Sequence, residues 1–282
     1  MKRWTGYFSM MVCALAFCVP AWAQNRGVVI MGQNMGNSDL CASLPSQGTL
    51  QTALRNAVSY ETSGLNLHMW ATIVDRDGTV CAVAFSGTER DAQWLGSRVI
   101  SAQKANTANA FSLDYFSNYG GSGRAGGLAL STANLYSAVQ PGGSLFGLQE
   151  SNPVDVSVAY KGPSSNYGQL NDPMVGKKIG GVNVFGGGLG LYTSGARLIG
   201  GLGVSGDTSC ADHRIAWRVR HILNLDKLAG VDGVSGDAAR PDNIVFDITP
   251  NPNGGTGISL GGFGHPLCPG ESGDPTDLDP VQ

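Results

Sequence analysis

The sequence of 282 residues predicts a mixed α/β protein with β-hairpins and packed helices. Two segments have apolar residues at helical spacing, and two others contain β-rich runs on either side of a short turn. Charged residues make up only 14% of the chain, against the usual ~25%. Glycine, with 42 residues, is about twice as frequent as usual, so we expect many turns and close backbone contacts.

The N-terminus has the pattern of a secretory signal peptide. Two basic residues precede an apolar run, Tyr7 to Val19, and the run is followed by Pro20-Ala21-Trp22-Ala23, which contains an A-x-A cleavage site. The run is shorter than the ~20 residues that a membrane-spanning helix needs. We therefore predict a signal peptide over 1–23, no membrane anchor after its cleavage, and a periplasmic or secreted location.

The balance of charges in the mature chain excludes one class of partner. Without the signal peptide, 16 basic residues stand against 21 acidic ones, a net charge of −5. Proteins that bind nucleic acid neutralise phosphates with clustered Lys and Arg. We therefore expect no nucleic-acid partner.

Four cysteines remain in the mature chain, namely Cys41, Cys81, Cys210 and Cys268. An even number in an exported protein indicates two disulfides, and three pairings are possible. We favour Cys41 with Cys81 and Cys210 with Cys268, because each bond would tie an irregular arm to a regular element. Their wide, irregular spacing argues against a zinc site.

The first elements follow from local patterns. Residues 24–48 lack periodicity and are expected to form an extended arm. A helix is predicted over about 49–62, where apolar residues recur at helical spacing after Thr49, the expected N-cap. Two β-rich runs around Asp75-Arg76-Asp77-Gly78 predict a hairpin. A long helix is predicted over about 90–111, with small residues that allow close packing on a sheet.

The middle of the chain is less regular. From about 119 to 179, paired glycines separate short pieces, and we interpret this stretch as an insertion with a short helix near 130–138. A segment of this length is expected to cover part of the domain or to mediate contact with another chain.

Regular structure resumes with a second hairpin, VNVFGGGLGLY and RLIGGLGVSG, around the turn at 193–196. Asp207 or Thr208 is expected to cap a last helix that runs to about Leu228. An irregular C-terminal extension, 229–282, follows, with one edge strand over about 243–248 and a frayed acidic end.

Two enzymatic interpretations of the second hairpin are disfavoured. Gly201 to Gly206 matches G-x-G-x-x-G, but a dinucleotide site needs the first strand of a βαβ unit, and here no buried parallel strand follows the helix. A hydrolase triad of Ser205, His213 and an aspartate lacks the G-x-S-x-G context.

Three motifs in order carry a family resemblance: V-D-x-D-G at 74–78, A-x-K-A-x-T-A-x-x-F at 102–111, and L-I-G-x-x-G-V-S-G at 198–206. Together they resemble the haem-binding and haem-degrading domain family of the GlcG and HbpS type, related to the C-terminal domain of PduO proteins. The resemblance implies a profilin-like α/β fold over 49–228, with an antiparallel sheet of about five strands, packed helices and frequent homo-oligomers. It also implies that Gly203 and Gly206 serve close packing and turn geometry.

The resemblance implies haem as the cofactor, and haem requires an apolar slot, an iron ligand and partners for its propionates. We favour His213 as the iron ligand because it lies just beyond the GVSG bend, and Ser205 as a pocket residue in the bend itself. Lys104 and Arg98 are the expected propionate partners, since an Arg fork matches a carboxylate. The alternative for each of them is an ordinary surface residue.

We therefore expect an exported protein that stores, senses or scavenges haem or a similar small apolar cofactor. The alternative is a non-catalytic structural or partner-binding protein that has kept the fold and lost the ligand. Enzymatic degradation of haem is less favoured, and no catalytic residue is assigned.

Overall fold

The computed structural model describes residues 40–89, 91–115, 126–255, 257–271 and 273–282. The predicted signal peptide and the beginning of the arm lie outside these residues. The helices are α1 (Gln47–Tyr60), α2 (Ser97–Phe111), α3 (Val156–Ala159) and α4 (Ser209–Ile222). The strands are β1 (Trp70–Asp75), β2 (Val80–Phe85), β3 (Gly188–Thr193), β4 (Arg197–Ser205), β5 (Ile248–Thr249) and β6 (Ile258–Ser259). Within the described ranges, no helix has both the length and the apolar character needed to cross a membrane.

The central sheet has four antiparallel strands in the order β2-β1-β4-β3. The predicted fold class and both predicted hairpins are confirmed, with four strands where about five were expected. Beside β3, the backbone of Tyr192 bonds with Leu225 and Lys227, so an irregular segment covers the free edge of the sheet. The predicted edge strand over 243–248 is reduced to β5, which pairs with β6 in a separate two-stranded sheet.

Helices cover both faces of the central sheet. On one face, α1 and α4 pack against residues such as Ile73 and Leu202. On the other face lies α2, which begins at Ser97 rather than near 90 and contacts Val74 and Val83. Because both faces are covered, β1 is buried along its whole length, although alternate residues point to different helices.

Glycines in β4 allow α2 to approach the sheet closely. A Cβ atom on Gly203 would lie 1.9 Å from the carbonyl oxygen of Ser101, and one on Gly201 would lie 2.2 Å from that of Ala105. At the end of the strand, a Cβ on Gly206 would lie 2.1 Å from the carbonyl oxygen of His68. The G-x-G-x-x-G spacing therefore reflects backbone packing within an antiparallel sheet, as the family resemblance implied.

The helix boundaries differ from the predicted ones at specific residues. Ser46, not Thr49, caps α1, because the Ser46 side chain accepts a hydrogen bond from the Thr49 backbone N–H. Thr208, one of the two predicted candidates, caps α4. This helix ends at Ile222 rather than near 228, since Asn224 adopts a positive φ of 56° and turns the chain back toward β3.

The described part of the predicted insertion, 126–179, is folded onto the domain. The helix predicted over about 130–138 is a pair of 3-10 helices, Thr132–Leu135 and Ser137–Val139. Further on, Met174 and Ile179 are buried against α2. The domain boundaries inferred from the sequence stay predictions.

The two disulfides join the pairs favoured from the sequence, Cys41 with Cys81 and Cys210 with Cys268. The first ties the arm to β2, and the second ties α4 to the C-terminal extension.

The acidic end of the chain was expected to fray, and this expectation is wrong. Arg214 of α4 forms ion pairs with Glu271 and Asp277. The indole N–H of Trp217 donates to the carbonyl oxygen of Asp279 at 2.9 Å. Charge pairing and a backbone contact thus hold this segment on α4.

Candidate functional site

An apolar cavity of about 390 Å³ lies beside the bend between β4 and α4. Its walls come from the loop before β1, the segment that leads into α2, the start of α4 and the C-terminal extension. The lining residues are Leu65, Trp94, Ile100, Phe185, Ser205, Asp207, Thr208, Ser209, Asp212, Cys268 and Pro269. The volume is within the range of small-molecule sites, ~300–1,000 Å³.

Large apolar side chains remain exposed around this cavity. Leu65 is 53% exposed, Trp94 57% and Phe185 47%. Exposed apolar surface of this kind, grouped around a concave site, is typical of ligand-binding or partner-binding surfaces. Two other hollows, of about 460 and 670 Å³, are lined mostly by glycine, serine and other loop residues, and the exposed apolar side chains that border them are Tyr115 at the first and Ile258 at the second.

The carboxylates at the cavity are bonded within the protein. Asp207 accepts hydrogen bonds from the backbone N–H groups of Leu65 and Leu67, each at 2.8 Å. Asp212 accepts from the Asp207 backbone N–H at 2.9 Å and from the Lys104 ammonium at 2.7 Å. The cavity therefore presents mainly carbon atoms to a ligand.

Lys104 is fully buried inside the domain, so the alternative of an ordinary surface lysine is wrong. Its ammonium donates to Asp212 and to the carbonyl oxygen of Val204, at 3.0 Å. Burial lowers the pKa of Lys104, and the neighbouring Asp212 opposes that shift. Burial also raises the pKa of Asp212 to about 6, against the opposing charge of Lys104. The Lys104 ammonium therefore already has an ion-pair partner inside the protein, Asp212.

Arg98 is also buried in an ion pair. Its Nε donates to Asp172 at 2.9 Å and its Nη1 to the carbonyl oxygen of Ala159 at 2.8 Å. The guanidinium lies 3.6 Å from the centre of the Tyr167 ring. These contacts, all to the predicted insertion, fasten that segment to α2 and leave Arg98 turned away from solvent.

His213 lies in the interior, with no exposed surface. Its Nε2 is 3.2 Å from the amide oxygen of Asn243, and its Nδ1 has no hydrogen-bond partner among the described residues. Burial lowers the pKa of His213 to about 3, so the ring is neutral. Ser205 lines the cavity, and no hydrogen bond joins it to His213 in the described part of the chain, so its role in cofactor binding stays a prediction. The role of His213 as an iron ligand stays a prediction.

A serine–histidine contact that the sequence did not indicate holds the extension against α4. The Ser209 hydroxyl lies 2.7 Å from Nε2 of His265, and the carbonyl oxygen of Pro266 lies 2.7 Å from Nδ1. Since a carbonyl only accepts, Nδ1 carries the proton and Nε2 accepts from Ser209. Burial lowers the pKa of His265 to about 4.

A family model described as haem-degrading protein, HbpS-like, matches residues 49–220, more than half of the chain. The chain belongs to the HbpS-like family. The resemblance drawn from the three motifs is thereby confirmed. In this HbpS-like chain, the cavity residues from Leu65 to Asp212 fall inside the matched region, whereas Cys268 and Pro269 come from the extension beyond it.

Solved structures of similar proteins match about two thirds of this HbpS-like chain. The structure of a PduOC–haem complex has 25% identity, covers 63% of this chain and 91% of its own, and has a TM-score of 0.40. The Klebsiella pneumoniae protein ORFY has 22% identity, coverages of 64% and 90%, and a TM-score of 0.39. A structure of HbpS has 16% identity, coverages of 63% and 86%, and a TM-score of 0.35. No curated protein matches the chain.

Proposed function

We propose that this HbpS-like protein binds haem in the cavity beside the β4–α4 bend. The observation that carries the proposal is the apolar cavity itself, which is formed mainly by residues of the matched family region and is bordered by Trp94 and Phe185. A porphyrin has two large apolar faces, and apolar pockets with aromatic side chains hold such ligands. Membership of a family described as haem-degrading supports the choice of haem among flat apolar ligands.

The residues present fit the ring better than they fit the propionates. Leu65, Ile100 and the two aromatic residues at the mouth would contact the porphyrin, and Ser205 would lie at the bend beneath it. When bound, haem supplies an iron centre and two carboxylates. Because Lys104 and Arg98 are already ion-paired, we expect the propionates to point through the open mouth into solvent.

Storage, sensing or scavenging outside the cytoplasm is the role that we propose for this binding. It is supported by the predicted signal peptide and by two disulfides, which persist in oxidising compartments. No catalytic group is part of the proposal.

Haemin titration of the purified full chain tests haem binding. We expect a saturable shift of the Soret band with a stoichiometry of one. Phe185→Ser should weaken binding by about tenfold or more, because burial of an aromatic side chain contributes roughly 1.5–3 kcal/mol. Phe146→Ser is the matched control, since Phe146 is 68% exposed and does not line the cavity. If the titration does not saturate, or if the two variants weaken binding equally, haem does not bind in this cavity.

Self-association through the same apolar rim is the second candidate function. Its support is the exposure of Trp94, Leu95 and Phe185. Light scattering coupled to size exclusion measures the molar mass of the wild type and of Trp94→Glu. We expect the charged variant to shift an oligomer toward the monomer, and an unchanged mass would count against this interface.

A further inference from the structure

One side chain in the cavity wall has a donor atom that binds haem iron well. Cys268 lines the cavity together with Pro269, and none of the other lining residues that the structure describes is His, Tyr or Met. Thiolate sulfur is one of the axial ligands that proteins offer to haem iron. In the folded chain, this sulfur is held in the disulfide with Cys210.

The surroundings of the Cys268 sulfur favour a thiolate. The backbone N–H of Cys210, in the first turn of the 14-residue helix α4, donates to Cys268 Sγ at 3.2 Å. The N-terminus of a helix stabilises negative charge and lowers the pKa of a nearby thiol. The other disulfide differs, because Cys41 Sγ lies 4.0 Å from a carboxylate oxygen of Asp75, which disfavours a second negative charge.

The two sulfurs of the Cys210–Cys268 bond differ in access. Cys210 is buried, with 2% of its surface exposed, whereas Cys268 is partly exposed at the cavity. An external thiolate therefore reaches Cys268 more readily.

Other contacts hold the Cys268 segment in place without the disulfide. Arg214 Nε donates to Glu271 at 2.7 Å, and His265 bonds with Ser209 at 2.7 Å. These two contacts flank Cys268 in sequence, so its sulfur is expected to remain at the cavity after reduction.

We propose that reduction of the Cys210–Cys268 disulfide turns Cys268 into a thiolate ligand for the iron of haem bound in this cavity. The inference rests on the proposed haem binding. The disulfide is then a redox control of the site: the oxidised protein holds the ring by apolar contacts, and the reduced protein adds a bond from sulfur to iron.

The reductant is a dithiol of the thiol–disulfide oxidoreductase class. One of its thiolates attacks Cys268 Sγ, the S–S bond breaks, and Cys210 leaves as a thiolate that takes a proton. The second thiol of the dithiol then displaces Cys268 and closes its own disulfide. Two electrons thus pass from the dithiol to the cysteine pair. The Cys268 thiol gives its proton to solvent when the sulfur binds iron.

Spectra of the haem-loaded full chain test this inference. Haemin is added to the oxidised wild type, to the wild type reduced with a phosphine, and to Cys210→Ser, which leaves Cys268 free without any reductant. We expect the reduced wild type and Cys210→Ser to share a shifted Soret band and a ferrous–CO spectrum typical of thiolate ligation. Their affinity for haemin should exceed that of the oxidised protein by about tenfold or more, equivalent to 1.4 kcal/mol.

Two further variants separate the possible outcomes. The double variant Cys210→Ser/Cys268→Ser should lose the thiolate spectrum, and Cys41→Ser/Cys81→Ser should respond to the phosphine as the wild type does. Reduced wild type is the decisive sample if Cys210→Ser does not fold. Haem binding with the same spectrum in the oxidised and reduced wild type would overturn the inference and leave the proposed function standing. Failure of every form to bind haemin would overturn both.

Discussion

The buried imidazole of His213 is expected to link the stability of the fold to pH. Burial lowers its pKa from 6.5 to about 3 in the folded protein. Between these two values the unfolded chain binds a proton that the folded chain does not, so stability rises with pH. The contribution is fully present above pH 6.5 and is lost progressively as the pH falls toward 3. At pH 5, about 1.5 pH units below the unfolded pKa, the loss is about 2 kcal/mol.

Urea denaturation of the wild type and of His213→Gln at pH 8 and pH 5 measures this contribution. Gln can still donate to Asn243 but does not titrate in this range. The free energy of unfolding of the wild type should fall by about 2 kcal/mol more than that of the variant. Asp212, whose pKa is raised to about 6, titrates in both proteins, so its effect cancels in the difference. An identical fall in the two proteins would show that His213 is accessible to protons in the folded state, and would refute the reasoning.

Three other predictions test the packing described above. Gly203→Ala should destabilise the protein by about 3 kcal/mol or more, because its Cβ would lie 1.9 Å from a backbone oxygen of α2; Gly48→Ala, in open space on α1, should change the urea midpoint little or raise it. The Cys41–Cys81 bond closes a loop of 40 residues, and its loss should lower the free energy of unfolding by about 4 kcal/mol. Calorimetry of the double Ser variant measures this loss, and a variant as stable as the wild type would contradict the prediction. Asp172→Ala should lower the free energy of unfolding by about 3–5 kcal/mol, because it leaves the buried guanidinium of Arg98 without its carboxylate. A urea midpoint equal to that of the wild type would argue against this ion pair.

Local patterns accounted for the elements that depend on neighbours in the chain. The turn at 193–196 contains Gly195 with a φ of 78°, and such turn residues are readable from sequence because only a few residue types adopt that backbone. Helical spacing located α1, and the candidate capping residues Asp207 and Thr208 located α4. The ends of both helices differed from the predictions, since capping depends on which of several adjacent side chains reaches a free N–H. The disulfide pairs also followed from the order of arms and elements.

The roles of the charged and polar site residues did not follow from local patterns. Lys104 and Arg98 were expected at a ligand, yet their carboxylate partners lie 108 and 74 residues further along the chain. A pattern of small residues around Lys104 shows that α2 packs closely, but it does not show which carboxylate meets the ammonium. The burial of His213 could not be read from local patterns either, because it depends on the C-terminal extension, where its partner Asn243 lies.

The sequence by itself determined the family, the two hairpins, the helices on the sheet and the GVSG bend beside which the cavity lies, because each depends on residue types at short, ordered spacings. Only the tertiary structure decided what the cavity is made of. Its walls come from Leu65, Trp94, Phe185, the start of α4 and Cys268, which are far apart in the chain and meet only when the sheet and its helices have packed. Burial and pairing are properties of that packing, so the same fold that creates the apolar cavity also removes Lys104, Arg98 and His213 from its surface.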